Sequence, residues 1–187
     1  MVTARQHRVS YAEYLAAERV SEAKHQWVNG EVFDMAGGTP EHARLQAAVA
    51  GELRSALLGS RCAVFSSDLR VKPKTSDLAT YPDVTVVCVK LETHPEDGDA
   101  VTNPVVICEV LSPTTEAFDR GDKFIHYRRI PTLTEYVLVS QSAQRIEVFR
   151  RDGERWVLTE YGKGTRIELS AVRAVLDLDA LYVNPLA

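Results

Sequence analysis

Two short and almost wholly apolar runs constrain this chain most: DVTVVCV (Asp83–Val89) and VVICEVL (Val105–Leu111). Both are rich in β-branched residues and bounded by turn formers (Pro82, Pro104, Ser112-Pro113), the pattern of strands buried on both faces. Each carries one carboxylate, Asp83 at the start of its strand and Glu109 late in its own. A carboxylate inside an apolar strand is costly unless a metal ion or a basic group meets it. Side-chain alternation places Glu109 with Ile107 and Leu111, opposite to Cys108 and Val110. Antiparallel pairing would bring the two acid-bearing ends together. A parallel pairing would need a crossover, and only the fifteen-residue loop Lys90–Pro104 separates the runs.

A charged segment follows. Thr115 or Asp119 can cap a helix reaching Arg129, with Pro131 just beyond, and Lys123 and Tyr127 share one face of it at a spacing of four. Asp83, Glu109 and Lys123 together outline a small metal-dependent phosphodiesterase site. Mg²⁺ keeps several waters and takes only one or two protein carboxylates, so Asp83 and Glu109 suffice as metal anchors, with the Val110 carbonyl as a further oxygen. The ion would polarise the phosphate and lower the pKa of the attacking water, and a lysine would orient that water or meet the developing charge. The same residues also have a purely structural reading. Asp83 is a turn residue after Pro82, Lys123 pairs with Asp119 one turn earlier, and Glu109 bridges to Lys123 or an arginine with no metal. Residue pattern alone leaves both readings open.

The remaining chain supplies a frame. Ser10 and Glu13 form a capping box opening a helix that buries Tyr11, Tyr14, Leu15 and Val20 and ends near Glu22. Asn29-Gly30 between alternating residues predicts a hairpin of His25–Val28 and Glu31–Met35. Thr39-Pro40 predicts the start of a helix reaching Leu58, apolar at Leu45, Val49, Leu53 and Leu57, with His42 in its first turn, equally able to face a site or solvent. Cys62–Ser66 and Leu69–Lys72 read as strands, Pro73–Ala79 as a polar loop, and His94–Asp99 as a solvated acidic tip. Glu135–Val139, Arg145–Arg150 and Arg155–Tyr161 read as a meander with Asp152-Gly153 in a turn, followed by strand Thr165–Leu169 and a short helix Leu178–Tyr182. The expected architecture is a single α+β domain over residues 1–187, a mixed or antiparallel central sheet flanked by helices.

Composition narrows the function classes. No apolar run has the length of a membrane span, and MVTARQHRVS lacks the apolar stretch of a secretory signal, so the cytoplasm is the expected location. Three cysteines form no disulfide framework and no CxxC pair, and Cys88 and Cys108 read as small buried hydrophobes. A net charge of −4 disfavours a generally basic nucleic-acid binder but permits a local basic surface. Its candidate members are Arg70, Lys72, Lys74, Arg120, Arg128, Arg129, Arg150, Arg151 and Arg155, each also readable as a solvated surface charge.

YPDV, CEVLSPTT, DRGDKFIHY and the strand EYVLV, with NGEVFDMAG and PEHARL upstream, resemble the Uma family of endonucleases, long carried as a domain of unknown function. That family is placed in the PD-(D/E)xK superfamily, and the likeness runs from about Tyr11 to Leu181. It implies a restriction-endonuclease-like core, with acids on adjacent strands binding Mg²⁺ or Mn²⁺ and DNA as the partner. Pro82-Asp83 matches the PD element and Glu109 the second acid. Leu111 stands where the superfamily places its lysine, and Lys123 on the following helix takes that role in the resemblance. Glu31 and His42 match recurrent family positions and join Tyr127 as second-tier site candidates. The resemblance also implies a homodimer. The alternative is a catalytically idle nuclease-like fold serving as a binding or assembly module.

Overall fold

In the computed structural model, which describes residues 8–35 and 37–186, the two acid-bearing runs are neighbouring central strands. Met1–His7, the start of the stretch read as no secretory signal, lie outside the described residues. In chain order the elements are α1 (Tyr11–Glu18), β1 (His25–Val28), β2 (Glu31–Asp34), α2 (Pro40–Ala56), β3 (Cys62–Ser66), β4 (Arg70–Val71), β5 (Leu78–Ala79) and β6 (Val84–Cys88). There follow β7 (Thr93–His94), β8 (Asp97–Val101), β9 (Val106–Leu111), α3 (Glu116–Phe118), a π-helical turn (Asp119–Lys123) and α4 (Phe124–Tyr127). The chain continues through β10 (Glu135–Ser140), β11 (Arg145–Asp152), β12 (Arg155–Gly162), β13 (Arg166–Leu169), β14 (Ala174–Asp177) and α5 (Leu178–Tyr182).

The main sheet has six strands in the order β12-β11-β10-β9-β6-β3. Its β9–β10 pair is parallel and its other pairs are antiparallel, giving the mixed central sheet of an α+β fold. β6 and β9 run antiparallel with Val84 opposite Cys108, so the expected convergence of the acid-bearing ends is realised. Both faces are covered, which is why these strands read as unbroken apolar runs. On one face α2 sets Leu45, Val49 and Leu53, all 0% exposed, against Val84, Val86, Cys108 and Val110. Each such side chain contributes roughly 1.5–3 kcal/mol by leaving water. On the other face Ile107, Leu111 and Leu138 meet Tyr127, Ile130 and Leu133. Glu109 therefore points into the second layer, as alternation requires.

Local signals act as their chemistry dictates. Glu13 N–H donates to Ser10 Oγ at 3.2 Å while Ser10 N–H donates to Glu13 Oε2 at 2.7 Å, closing the capping box. Thr39 Oγ1 accepts from His42 N–H at 3.1 Å, which fixes the first turn of α2. Asn29 and Gly30 have φ of 51° and 86°, both in the left-handed region that the tight β1–β2 turn demands.

Several expectations are corrected. α1 stops at Glu18 and Val20, beyond it, is 83% exposed, so the buried stripe of the helix is Tyr14 and Leu15. The acidic tip is instead the β7–β8 hairpin, and Asp97 within it is fully buried against Arg70, with Oδ2 at 2.8 Å from Nε. Arg70 and Lys72 thus belong to the interior, not to a surface. Lys72 Nζ donates to the Ser76 carbonyl at 2.7 Å and lies 5.0 Å over the Tyr11 ring. Cys62 and Cys88 stand directly opposite on β3 and β6 and are joined in a disulfide, so Cys88 is not the simple hydrophobe expected; Cys108 is the buried free thiol. Register across two strands creates that bond, and a spacing of 26 residues carries no sign of it. The helix expected up to Arg129 is three pieces around the π-turn. β5 lies inside the expected polar loop, and β14 escaped the sequence reading.

Candidate active site

The site grows from the β6–β9 ladder. One residue beyond Val84–Cys108, the two strands exchange side-chain bonds: Val110 N–H donates to Asp83 Oδ2 at 2.7 Å, and Asp83 N–H approaches Glu109 Oε2 at 3.4 Å. From α2, Gln46 Nε2 donates to the Asp83 carbonyl at 3.1 Å. The acids are therefore positioned by backbone on one side and by a helix on the other.

Glu109 is 3% exposed. Its Oε1 accepts from Lys123 Nζ and Tyr127 Oη, each at 3.0 Å. Lys123 Nζ lies also 2.7 Å from Asp119 Oδ1, so one buried ammonium stands between two carboxylates. Tyr136 Oη donates to the Asp119 carbonyl at 3.0 Å and holds the π-turn to β10. π-turns inside helices concentrate at functional sites, and here the turn carries both Asp119 and Lys123.

His42 lies on the opposite side of Asp83, with Nε2 at 3.3 Å from Asp83 Oδ2. Gly38 leaves room for it: a Cβ on Gly38 would stand 2.7 Å from His42 Nδ1. The sequence offered no signal for Gly38 or Gln46 as supports. Side-chain exposures of 17% for His42 and 13% for Asp83, against 4% and 7% for Glu109 and Lys123, show where the cluster opens to solvent. The cluster is most open on the His42–Asp83 side.

Burial raises the Glu109 carboxyl well above the ordinary range, more than Lys123 pulls it down. Burial lowers Lys123, yet Glu109 and Asp119 outweigh it and leave the ammonium above its usual value. His42 is raised by its hydrogen bond to Asp83, which overcomes desolvation. The Tyr127 phenol is held protonated by burial and the adjacent Glu109 charge.

Asp83, Glu109, Lys123, Tyr127 and His42 thus meet in one place. Glu31 does not join them. It lies exposed on β2, opposite Val28, and makes none of the described hydrogen bonds or ion pairs to the cluster. Leu111 is 4% exposed in the core beside Tyr127, so the amine comes to Glu109 from the helix and not from β9.

Among the described residues no cluster of three or more His, Cys, Asp or Glu is arranged to hold a metal. Two carboxylates and the Val110 carbonyl are hard oxygen donors, the set that Mg²⁺ or Mn²⁺ accepts when water completes the shell, and not one for a tightly caged ion such as structural Zn²⁺.

Comparisons with known proteins give the family and the fold. The model of the family Uma2, described as "Putative restriction endonuclease", matches residues 11–180. Two uncharacterized proteins of Synechocystis sp. are similar: one is 32% identical over 180 residues, spanning 94% of this chain and 92% of the relative. The other is 35% identical over 175 residues, spanning 92% and 99%. A crystal structure from Anabaena variabilis, described as "a putative nuclease belonging to DUF820", superposes with a TM-score of 0.75 at 14% identity, over 91% of this chain and 96% of that one. At that identity it speaks for the fold alone, which is the expected nuclease-like core.

Proposed function

The chain belongs to the Uma2 family of restriction-endonuclease-like proteins, and from that premise we propose that it is a divalent-metal-dependent endonuclease hydrolysing phosphodiester bonds in DNA. The observation that carries this reading is the β6–β9 register, which sets two carboxylates side by side with a buried ammonium 3.0 Å from one of them. Asp83 and Glu109 would hold Mg²⁺ or Mn²⁺, which supplies a polarised phosphate and an acidified water. Lys123 offsets the charge of Glu109 and Asp119, and its one remaining proton would serve the attacking water. Tyr127 fixes the Glu109 rotamer through its hydrogen bond. His42, at the open side, orients Asp83 through its hydrogen bond and would set positive charge where a phosphate enters. No helix among the described residues is long and apolar enough to cross a membrane.

The test is cleavage of labelled duplex DNA, single-stranded DNA and RNA with Mg²⁺ or Mn²⁺, by wild type and Asp83→Asn. The reading expects metal-dependent cleavage of DNA by wild type and loss of it in the variant. Equal activity in both, or none on any substrate, sinks it.

A second reading has its own support. Glu109 Oε1 is already satisfied by Lys123 and Tyr127, as in a nuclease-like fold that serves as a binding or assembly module. Under that reading wild type binds no divalent ion specifically, and Glu109→Ala changes stability alone.

A further inference from the structure

β6 is held differently at its two ends. Val84, Thr85 and Val86 pair with β9 on one side and β3 on the other, whereas among the described residues Val87 and Cys88 pair with β3 alone. That far end is closed by the Cys62–Cys88 disulfide and by one ladder bond beyond it, from Val89 N–H to the Arg61 carbonyl at 2.7 Å. Arg61 and Val89 are thus a hydrogen-bonded pair, and Cys62 and Cys88 a pair that exchanges no backbone bond. Across the strands only the S–S bond joins those two residues.

The chain turns in a strained form immediately after Cys88. Lys90 N–H donates to the Cys88 carbonyl at 2.8 Å, closing a three-residue turn whose central residue, Val89, has φ of 70°. This is the rarer, strained form of the γ-turn, and a β-branched residue is out of place at its centre. The Val89 side chain is 67% exposed, so its own packing does little to hold the turn. Such a conformation persists only where its surroundings fix it, and here they are the pinned end of β6. Both cysteines are half-buried and line an open depression with Phe65 and Leu91. Arg61 and Lys90, exposed in the same lining, supply the positive charge that favours a thiolate over a thiol.

We propose that Cys62–Cys88 is a thiol-exchange site, which an external dithiol reduces reversibly in the folded protein, and that opening the bond releases the Val89 turn. One thiolate of the dithiol attacks the sulfur of one cysteine, the S–S bond breaks, and the other cysteine leaves as a thiolate beside Arg61 and Lys90. The second thiol of the reductant then displaces the first cysteine from the mixed disulfide. The dithiol is oxidised by two electrons to its cyclic disulfide, the protein is reduced by two, and the two protons of the dithiol end on the cysteines. The change stays at this end of β6, because the other end is secured by the β9 ladder and by the bond from Val110 N–H to Asp83. Cys108, the buried free thiol, takes no part.

The test uses the full oxidised chain without denaturant, with dithiothreitol as the dithiol. Reduction is expected to make Cys62 and Cys88 alkylable by iodoacetamide, read by mass spectrometry, while Cys108 stays unlabelled and the circular dichroism spectrum is unchanged. Oxidised dithiothreitol should restore the bond. A bond that opens only in denaturant, or thiols that oxidised dithiothreitol does not rejoin in the folded chain, overturns the site. Hydrogen exchange at the Val89 and Lys90 amides should quicken in the reduced protein, and unchanged exchange there overturns release of the turn. Val89→Gly tests the same coupling from the oxidised side, since glycine adopts that φ without strain. In a dithiothreitol redox buffer the variant should favour the disulfide roughly fivefold more than wild type, the low end of what such strain costs. An equilibrium unchanged, or shifted toward the thiols, overturns the link between bond and turn.

Discussion

Lys123 concentrates the energetic argument of this molecule. Its ammonium is shared by Glu109 and Asp119 inside a layer that excludes water. Removing it would leave two buried carboxylates without a counter-charge, whereas removing Glu109 leaves Lys123 still paired with Asp119. Lys123→Met is therefore expected to cost about 3–5 kcal/mol of unfolding free energy, and Glu109→Ala clearly less. Urea unfolding of the two variants checks the order. A smaller loss in Lys123→Met than in Glu109→Ala would contradict the shared-ammonium picture. Gly38 makes a separate residue-scale prediction. A methyl there meets the His42 ring, so Gly38→Ala should lower DNA cleavage while stability changes by about 1 kcal/mol or less. Unaltered cleavage would remove His42 from the substrate's path.

At the scale of elements, the disulfide staples edge strand β3 to β6, the strand that Asp83 opens. Closing a loop of that length constrains the unfolded chain, and the Cys62→Ser, Cys88→Ser double variant should lose about 2–4 kcal/mol against the oxidised protein in urea unfolding. Wild type under reductant should match the double variant. The elements also show what the sequence disclosed. β6 and β9 were legible because both faces are covered, which erases polar alternation, and the lone acids then stood out. α2 was legible from its Thr39 cap and its Leu45, Val49, Leu53 stripe. The π-turn was not, because DRGDK reads equally well as ordinary helix. Nor was the Asp97–Arg70 pair, since only tertiary contact separates an acid in a buried hairpin from one on a solvated tip. Within the cluster, strand position marks Asp83 and Glu109, and helical spacing marks Lys123 and Tyr127. Glu31 entered through family likeness alone, and its side chain lies outside the cluster.

For the molecule as a whole, stability should fall on the acid side through two groups with the same sign. Burial raises Asp97, but hydrogen bonds from Arg70 and Tyr11 outweigh it and hold the folded value below that of the unfolded chain. Its contribution is complete above the ordinary carboxylate range and is lost as pH falls through the depressed folded value. His126, buried beside Ser76, is lowered mainly by desolvation, so the unfolded chain binds a proton first as pH drops below about 6.5. His42, raised by its bond to Asp83, and Glu109, raised by burial, act with the opposite sign. The His126 share is therefore read from the difference in urea midpoint between wild type and His126→Gln, which should move against wild type as pH falls from that point. A difference flat from neutral pH down to the carboxylate range would refute the assignment. The most direct test of the central claim is calorimetric titration of Mg²⁺ and Mn²⁺ into wild type and Glu109→Ala. The account predicts one saturable site in wild type that is absent from the folded variant. No saturable site in wild type, or the same isotherm in both proteins, would contradict it.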